Sequence, residues 1–487
     1  MFFSRSIIIF NPFSTPQRVL APGLRRIASF PVTCVAGWRA AFGRMSLKGA
    51  QNALHGTHAY EPLKGSTQTG YTSMDKNDFF AERDTSSGGP LDGIRVLEAT
   101  NYASGPVCGM ILADLGATSV KCEMPGAGDP NRLVPPFISG DSDRENSVVF
   151  AGINRGKLGV TLDFRTEQGQ ELFRKVAATC DIVVENFSPG TMDRWNIGYA
   201  DIKAVKPDII YVSISGFGQF GPLHKRRGFD PVAQAMGGLM SITGEPDGRP
   251  LKAGSVLADD MAGWQAALGA LAALHYRTRT GKGQWVDTSM TDAQLYASSW
   301  GIMGAVETGT MWPRTGNAIA GGAPMNSYLC ADGEWLIIFA AFDKTWRTLC
   351  ELMDRPDLLE DPRSKDWPAR SANVDFVDGE VAKWVATQNS HELDQLLDEK
   401  AIVSAPILNF EQIINTPHYH ERDMIYKAEH PRHGPITHFG VANKFSVSDT
   451  RIRRAAPLLG EHNDEVFGGQ LGMSEADLQR LRDEGVI

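Results

Sequence analysis

From residue 94 onward the chain repeats one pattern: a short apolar run, a turn, then a stretch whose apolar residues recur at helical spacing. Ile94–Ala99 reads as a strand. Gly105-Pro106 then opens a helix with Val107, Met110, Ile111 and Leu115 on one face, and Gly116 ends it. Extended runs follow at Ser119–Glu123, Leu158–Leu162, Asp181–Phe187 and Asp208–Ser215, with helical patterns over 167–178 and 199–205 between them. Strand and helix in alternation predict a doubly wound, Rossmann-like α/β domain with its ligand beyond the carboxyl ends of the strands.

A second pattern begins after Gly254. Trp264, Leu268, Leu271 and His275 fall on a helix that runs to about Arg279 and Gly281, and Asp259 lies where the preceding loop turns into that helix. A carboxylate there is expected to meet unsatisfied N–H groups and the positive end of the helix dipole, which favours its charged form. Read alone, it is an N-cap. Gln284–Ser289 is extended again. Glu334–Ala340, a helix over 346–353 and Leu393, Leu396 and Leu397 then indicate a smaller α+β segment. Further on come a turn at Arg432-His-Gly434, an extended stretch over 439–445 and a last helix opened by Ser474-Glu-Ala-Asp477.

At 487 residues the chain exceeds what one core usually holds, so two domains are expected. The net charge of −9 argues against a general nucleic-acid partner, so any anionic ligand needs a local basic cluster. No apolar run is long enough to span a bilayer, so no membrane partner is expected. The six cysteines show no metal-ligand spacing, and His418 and His420 read as ordinary histidines; no metal is expected. Residues 1–60 carry no Asp or Glu, while Arg5, Arg18, Arg25, Arg26, Arg39 and Arg44 are spread among Ser, Ala and apolar residues. This is the composition of a mitochondrial transit peptide, which points to the matrix. The Ser-, Thr- and Gly-rich stretch 61–89 reads as a disordered lead-in, with folded structure starting near Pro90.

Gly216-Phe-Gly-Gln-Phe-Gly221 spells a dinucleotide fingerprint after a strand. Pro222 and Lys225-Arg226-Arg227 follow, where the fingerprint needs a helix to receive the pyrophosphate, so a nicotinamide or flavin enzyme is disfavoured.

Several ordered motifs carry a resemblance. They are Pro90-Leu-Asp-Gly-Ile-Arg-Val-Leu, Gly105-Pro106, Asp114-Leu-Gly-Ala117 with Val120-Lys-Cys-Glu123, Val184-Glu-Asn-Phe187, Gly228-Phe-Asp-Pro-Val-Ala-Gln-Ala235, Thr280-Gly-Lys-Gly283 and Pro457-Leu-Leu-Gly-Glu-His462. Over residues 90–487 the chain resembles the family III CoA-transferases, whose members include formyl-CoA transferase, succinyl-CoA:glutarate CoA-transferase and α-methylacyl-CoA racemase. The resemblance implies a large CoA-binding domain over 90–315, a small domain over 316–425, a return to the large domain over 426–487, and an interlocked homodimer. It implies acyl-CoA and carboxylic acid substrates with no permanently bound cofactor, and assigns the nucleophile to Asp259, with Asp260 the competitor on spacing alone. It further implies CoA contacts at Ala103, Ser104, Leu162, Arg165, Asn186, Phe187, Ser188, Arg194, Arg226, Arg227 and Phe229, and a substrate loop at Gly321 and Gly322. Met124 and Ala103 depart from the formyl-CoA transferase pattern, which puts formate and oxalate in doubt. Phe229 stands where racemases carry a histidine, and a phenyl ring cannot exchange a proton. The regions around Gly237–Gly244 and His430–Gly434 look most like the succinyl-CoA:glutarate type. A non-catalytic CoA-binding protein is the alternative of another class.

Overall fold

The computed structural model describes residues 74–86, 88–319 and 321–487. Six parallel strands make the main sheet: β1 (Arg95–Ala99), β2 (Thr118–Glu123), β3 (Lys157–Thr161), β4 (Ile182–Glu185), β5 (Ile210–Ser215) and β6 (Trp285–Ser289). Their order is β3-β2-β1-β4-β5-β6, the doubly wound arrangement that the alternating pattern predicts. Both faces of the sheet are covered. On one, Leu97, Val120, Val160 and Val183 meet Phe173 and Val176 of the Glu167–Ala178 helix; on the other, Val96, Val184 and Val212 meet Leu112 and an alanine-rich helix.

That alanine-rich helix, Leu257–Thr280, has Ala258, Ala262, Ala266, Ala270 and Ala273 buried. Small side chains let it approach the Ser104–Asp114 helix closely. A methyl group on Gly263 would lie 2.7 Å from Val107 Cγ1 and 2.9 Å from the Ser104 carbonyl oxygen. Gly281, at φ 69°, ends the helix in the left-handed conformation.

The chain leaves this sheet after β6 and builds an antiparallel one from β7 (Met325–Leu329), β8 (Trp335–Phe339) and β9 (Val403–Pro406), backed by Trp346, Leu349, Val381 and Leu393 in a separate core. A hairpin follows, β10 (Ile425–His430) with β11 (Gly434–Phe439). The expected turn at 432–434 is there, but the strand after it is Gly434–Phe439 rather than 439–445. The pairing partner β10 has too mixed a polarity to read as a strand.

The last segment packs back on the parallel sheet, with Val466, Phe467, Leu478, Leu481 and Ile487 joining the core of β3. Along that sheet edge the Gly159 N–H donates to His462 Nδ1 (3.1 Å), and the Thr161 N–H to Asn463 Oδ1 (2.9 Å). The Pro457–His462 motif therefore covers an edge strand that would otherwise expose its amides.

The expected transit peptide, 1–60, lies outside the described residues. The expected lead-in differs from the structure where it is described: Lys76–Phe79 is helical, Lys76 pairs with Asp423 at 3.1 Å, and Arg83 Nε donates to Asp449 at 3.0 Å. Its basic residues find carboxylates more than 340 positions away, which local composition cannot reveal.

Candidate active site

Strand order reverses where β1 is flanked by β2 on one side and β4 on the other. The loops leaving β1 and β4 there diverge to opposite faces and open a crevice. Asn186 spans it. Its amide accepts from the Asn101 N–H (2.8 Å), donates to the Asn101 carbonyl (2.7 Å) and reaches Ser104 Oγ at 3.3 Å. Its neighbour Glu185, buried at the end of β4, accepts from the Phe187 N–H at 2.8 Å. Burial pushes the Glu185 carboxyl up to about 7.

Tyr102, between Asn101 and Ser104, has a left-handed backbone (φ 59°), a costly state for a bulky residue. It is held by the Asp129 carboxylate, which accepts the Tyr102 N–H at 3.1 Å and itself pairs with the buried Lys121 at 2.9 Å. The Tyr102 ring meets Phe229 edge to face, with centroids 5.7 Å apart.

Asp259 lies in this crevice. Tyr102, Ser104, Asn186, Phe187, Ser188, Ser215, Arg226, Arg227, Phe229 and Met290 line one pocket with it. It is the third residue of its helix rather than the N-cap, which is Val256 and makes no side-chain cap bond. The side-chain cap comes from elsewhere: Asp230 accepts the Ala258 N–H at 2.8 Å.

The expectation that a helix start keeps Asp259 ionised is corrected. Burial and the charges of Asp230 and Asp260 push its carboxyl up to about 7, and the hydroxyl and N–H of Ser104 pull the other way without cancelling them. Asp260 is raised by burial and by Asp230 as well. A group poised near neutrality remains a usable nucleophile, and it is less stabilised as a spectator charge than a capping aspartate would be.

Of the residues expected to contact CoA, Ser104, Asn186, Phe187, Ser188, Arg226, Arg227 and Phe229 are brought together here, and Ala103 is the N-cap beside Ser104. Three others are elsewhere. The Leu162 side chain is in the sheet core, because the residue continues the apolar alternation of β3. Arg165 is exposed and forks onto Asp163 through two 2.8 Å bonds, and Arg194 bonds to Thr191 at 2.9 Å. Gly321 and Gly322 do not line this pocket: Gly321 accepts from Ser371 Oγ at 2.8 Å, and Gly322 faces Trp367 and Ala341 of the smaller segment. Tyr102, Ser215, Met290 and Asp230 were not singled out from the sequence. For Asp230 a signal existed, since a carboxylate four residues before Gln234 in a helix start is poised to bond it.

Gly216, at the start of the Gly216–Gly221 loop, lines this pocket and packs against the arginine loop. A methyl on Gly228 would sit 2.7 Å from the Gly216 Cα, and the next helix begins only at Asp230. This contact holds the arginine loop over the pocket. Arg226 also lies over the Phe217 ring at 5.6 Å. Among the described residues neither Arg226 nor Arg227 is in an ion pair, which leaves two cations free for an anion. No group of His, Cys, Asp and Glu among the described residues could hold a metal ion, and no helix there is long and apolar enough to cross a membrane.

A doubly wound sheet with a carboxylate nucleophile candidate and unpaired arginines at its switch point defines an α/β enzyme acting on an anionic ligand. Residues 91–463 match CoA-transferase family III, and the chain belongs to that family. It is 36% identical over 398 residues to the succinyl-CoA–D-citramalate CoA-transferase of Chloroflexus aurantiacus, covering 82% of this chain and 98% of that protein. It is 40% identical over 385 residues to the succinyl-CoA:mesaconate CoA-transferase of Haloarcula hispanica, covering 78% and 96%. Among solved structures, a CAIB/BAIF family protein from Brucella suis superposes with a TM-score of 0.71 at 33% identity, over 80% of this chain and all of that one. The chain is a CoA-transferase, and CoA thioesters are its substrates.

Proposed function

We propose that this enzyme moves CoA from succinyl-CoA to a dicarboxylic acid through an aspartyl-CoA thioester on Asp259. The observation that carries the reading is Asp259 itself, a carboxylate at a helix start in the switch-point pocket, facing a loop with two unpaired arginines. A carboxylate oxygen attacks the thioester carbonyl, the C–S bond breaks, and CoA thiolate leaves a mixed anhydride. The thiolate then attacks the aspartyl carbonyl, releasing the donor acid and leaving the aspartyl-CoA thioester. The acceptor carboxylate attacks that thioester and expels the thiolate. Attack of the thiolate on the acceptor's acyl carbon gives the new thioester and restores Asp259.

The Ser104 N–H belongs to the first turn of a second helix, and its position beside the carboxylate suits it to the developing oxyanion. Arg226 and Arg227 suit the phosphates of CoA. Both relatives named above have succinyl-CoA in their names, which supports it as the donor. Phe229 offers no proton, which leaves the racemase alternative without its second acid/base group.

The test is incubation with succinyl-CoA and mass spectrometry of the protein and of its proteolytic peptides. Wild type should gain the mass of CoA less water on the Asp259 peptide, and Asp259→Ala should gain nothing and lose at least about a thousandfold in transfer. Full turnover in Asp259→Ala would end the reading and leave a CoA-binding protein with another catalytic group.

Two further readings belong with it. Tyr296, Trp300, Met303 and Val306 are each more than 60% exposed on consecutive helices, which supports burial against a second copy; a monomeric mass in sedimentation would remove it. The arginine-rich, acid-free residues 1–60 support the mitochondrial matrix, and failure of import into isolated mitochondria would remove that.

A further inference from the structure

Asp230 is almost fully buried between the arginine loop and the helix of Asp259. Its carboxylate accepts the Ala258 N–H at 2.8 Å and both of its oxygens accept from Gln234 Nε2, at 3.0 and 2.8 Å. The same Gln234 amide accepts the Ala253 N–H at 2.9 Å, so one side-chain pair holds both ends of the 253–258 segment that leads into Asp259. The helix has no side-chain cap of its own, because Val256 stands at the N-cap. Asp230 also directly follows Arg226-Arg227-Gly228-Phe229, whose backbone is pressed on Gly216. Among the described residues it has no ion-pair partner.

We infer that Asp230 is a positioning residue for CoA transfer: it caps the nucleophile's helix from a distance, ties that helix through Gln234 to the arginine loop, and sets the charge environment of Asp259. This inference rests on the transferase reading above.

Other groups also act on Asp259. Asp260 lies on its own helix, Ser104 comes from the facing helix start, and Tyr102, Arg226 and Arg227 line the pocket from the two loops. Of these, only Asp230 both fixes the backbone and contributes a charge through the same atoms. Removing the charge while keeping an acceptor should therefore separate the two roles.

The experiment is a pH profile of kcat/KM with succinyl-CoA for wild type, Asp230→Asn and Asp230→Ala. Asp230→Asn keeps an oxygen for the Ala258 N–H and removes a negative charge, so the acidic limb should move down by about one pH unit. Asp230→Ala should show the same displacement and lose a further ten- to a hundredfold, roughly, in kcat, because the cap is gone. Asp230→Ser restores a capping oxygen without the charge. It should recover most of that loss, and it is the variant to read if the asparagine form does not fold. An acidic limb unmoved in every variant that folds would overturn the inference, since a merely structural residue lowers activity without displacing it. Failure of the transferase reading is distinct: wild type would then form no CoA adduct at Asp259, whatever Asp230 does.

Discussion

Buried charge occurs in two regions of this molecule, and the two are built differently. Behind the crevice, at β1 to β3, each buried cation has a carboxylate: Lys157 with Glu98 (2.8 Å), Lys121 with Asp129 (2.9 Å), Arg132 with Glu123 (2.7 Å) and Arg155 with Asp114 (2.7 Å). In the crevice, Asp230 and Asp259 form no ion pair among the described residues: Asp230 accepts from the Ala258 N–H and the Gln234 amide, and Asp259 from the Ser104 hydroxyl and N–H. Paired charges hold one another and the loops attached to them. Asp259, served only by dipoles, has its proton affinity raised and its lone pairs free for a carbonyl carbon. The contrast explains why the Val120-Lys-Cys-Glu123 motif is structural, and it supports the chemical role proposed for the Asp259 stretch, although both are rich in charge.

The largest effect that would break the comparison lies in the paired region. Burial pulls the Lys157 ammonium down to about 8 even with Glu98 beside it, and the ammonium also donates to the Pro106 carbonyl (2.8 Å) and Asn154 Oδ1 (3.1 Å). Lys157→Met leaves Glu98 buried with only the Ser119 and Thr100 hydroxyls. Urea denaturation should show a loss of about 3–5 kcal/mol, the usual cost of stranding one partner of a buried pair. The double variant with Glu98→Gln should recover much of it. A loss under about 1 kcal/mol would mean that these pairs do not hold the frame.

Asp259→Asn tests the other region and should change stability in the opposite direction. Its carboxyl titrates at about 7 when folded against 3.8 for an ordinary aspartate, so the folded protein binds this proton more tightly than the unfolded chain. The contribution is fully present below about pH 4 and is lost as pH rises through 7. Asparagine mimics the protonated form at every pH. The variant should therefore match wild type near pH 4 and be more stable at pH 8 by about 2 kcal/mol, after discounting for solvent screening of a group that is not fully buried. Thermal melts at the two pH values check this. Equal stability at pH 8 would show that Asp259 is compensated like the paired set.

Much of this arrangement was legible from residue patterns. The first five strands of the main sheet follow from extended runs between helical stretches, because they are buried and local sequence carries that signal, while the edge strand β6 is largely exposed and reads from its alternation alone. The Asp259 pocket was legible in part, since the Ser104, Asn186–Ser188 and Arg226–Phe229 segments each leave the end of a strand. Hidden were the pairings across long distances. Asp230 caps a helix 28 positions later. β10 and β11 are mixed in polarity along their length and are defined by each other. Such features depend on which elements meet, and one sequence does not encode that locally. The charge state of Asp259 escapes a local reading for a related reason: the helix start is visible in the sequence, but the burial and the neighbouring Asp230 that outweigh it are not.

The smallest expected change in stability comes from Gly263→Ala, and it separates the position of the carboxylate from the stability of the fold. In a helix interior alanine is favoured over glycine by about 1 kcal/mol, which alone predicts a more stable protein. Here the new methyl meets Val107 Cγ1 at 2.7 Å and the Ser104 carbonyl oxygen at 2.9 Å. Overpacking of this kind costs about 1–3 kcal/mol, so the two effects nearly offset and the net loss should be about 1 kcal/mol. The valine can shift its rotamer, but the Ser104 oxygen is backbone and moves only with the start of its helix. That helix start brings the Ser104 hydroxyl and N–H to Asp259, so relief of the contact pulls them apart. Transfer should fall by about tenfold or more while the melting temperature changes by only a few degrees. Unchanged transfer in a folded Gly263→Ala protein would show that the carboxylate does not depend on the Ser104 dipoles, and that the unpaired region tolerates looser construction than the paired one.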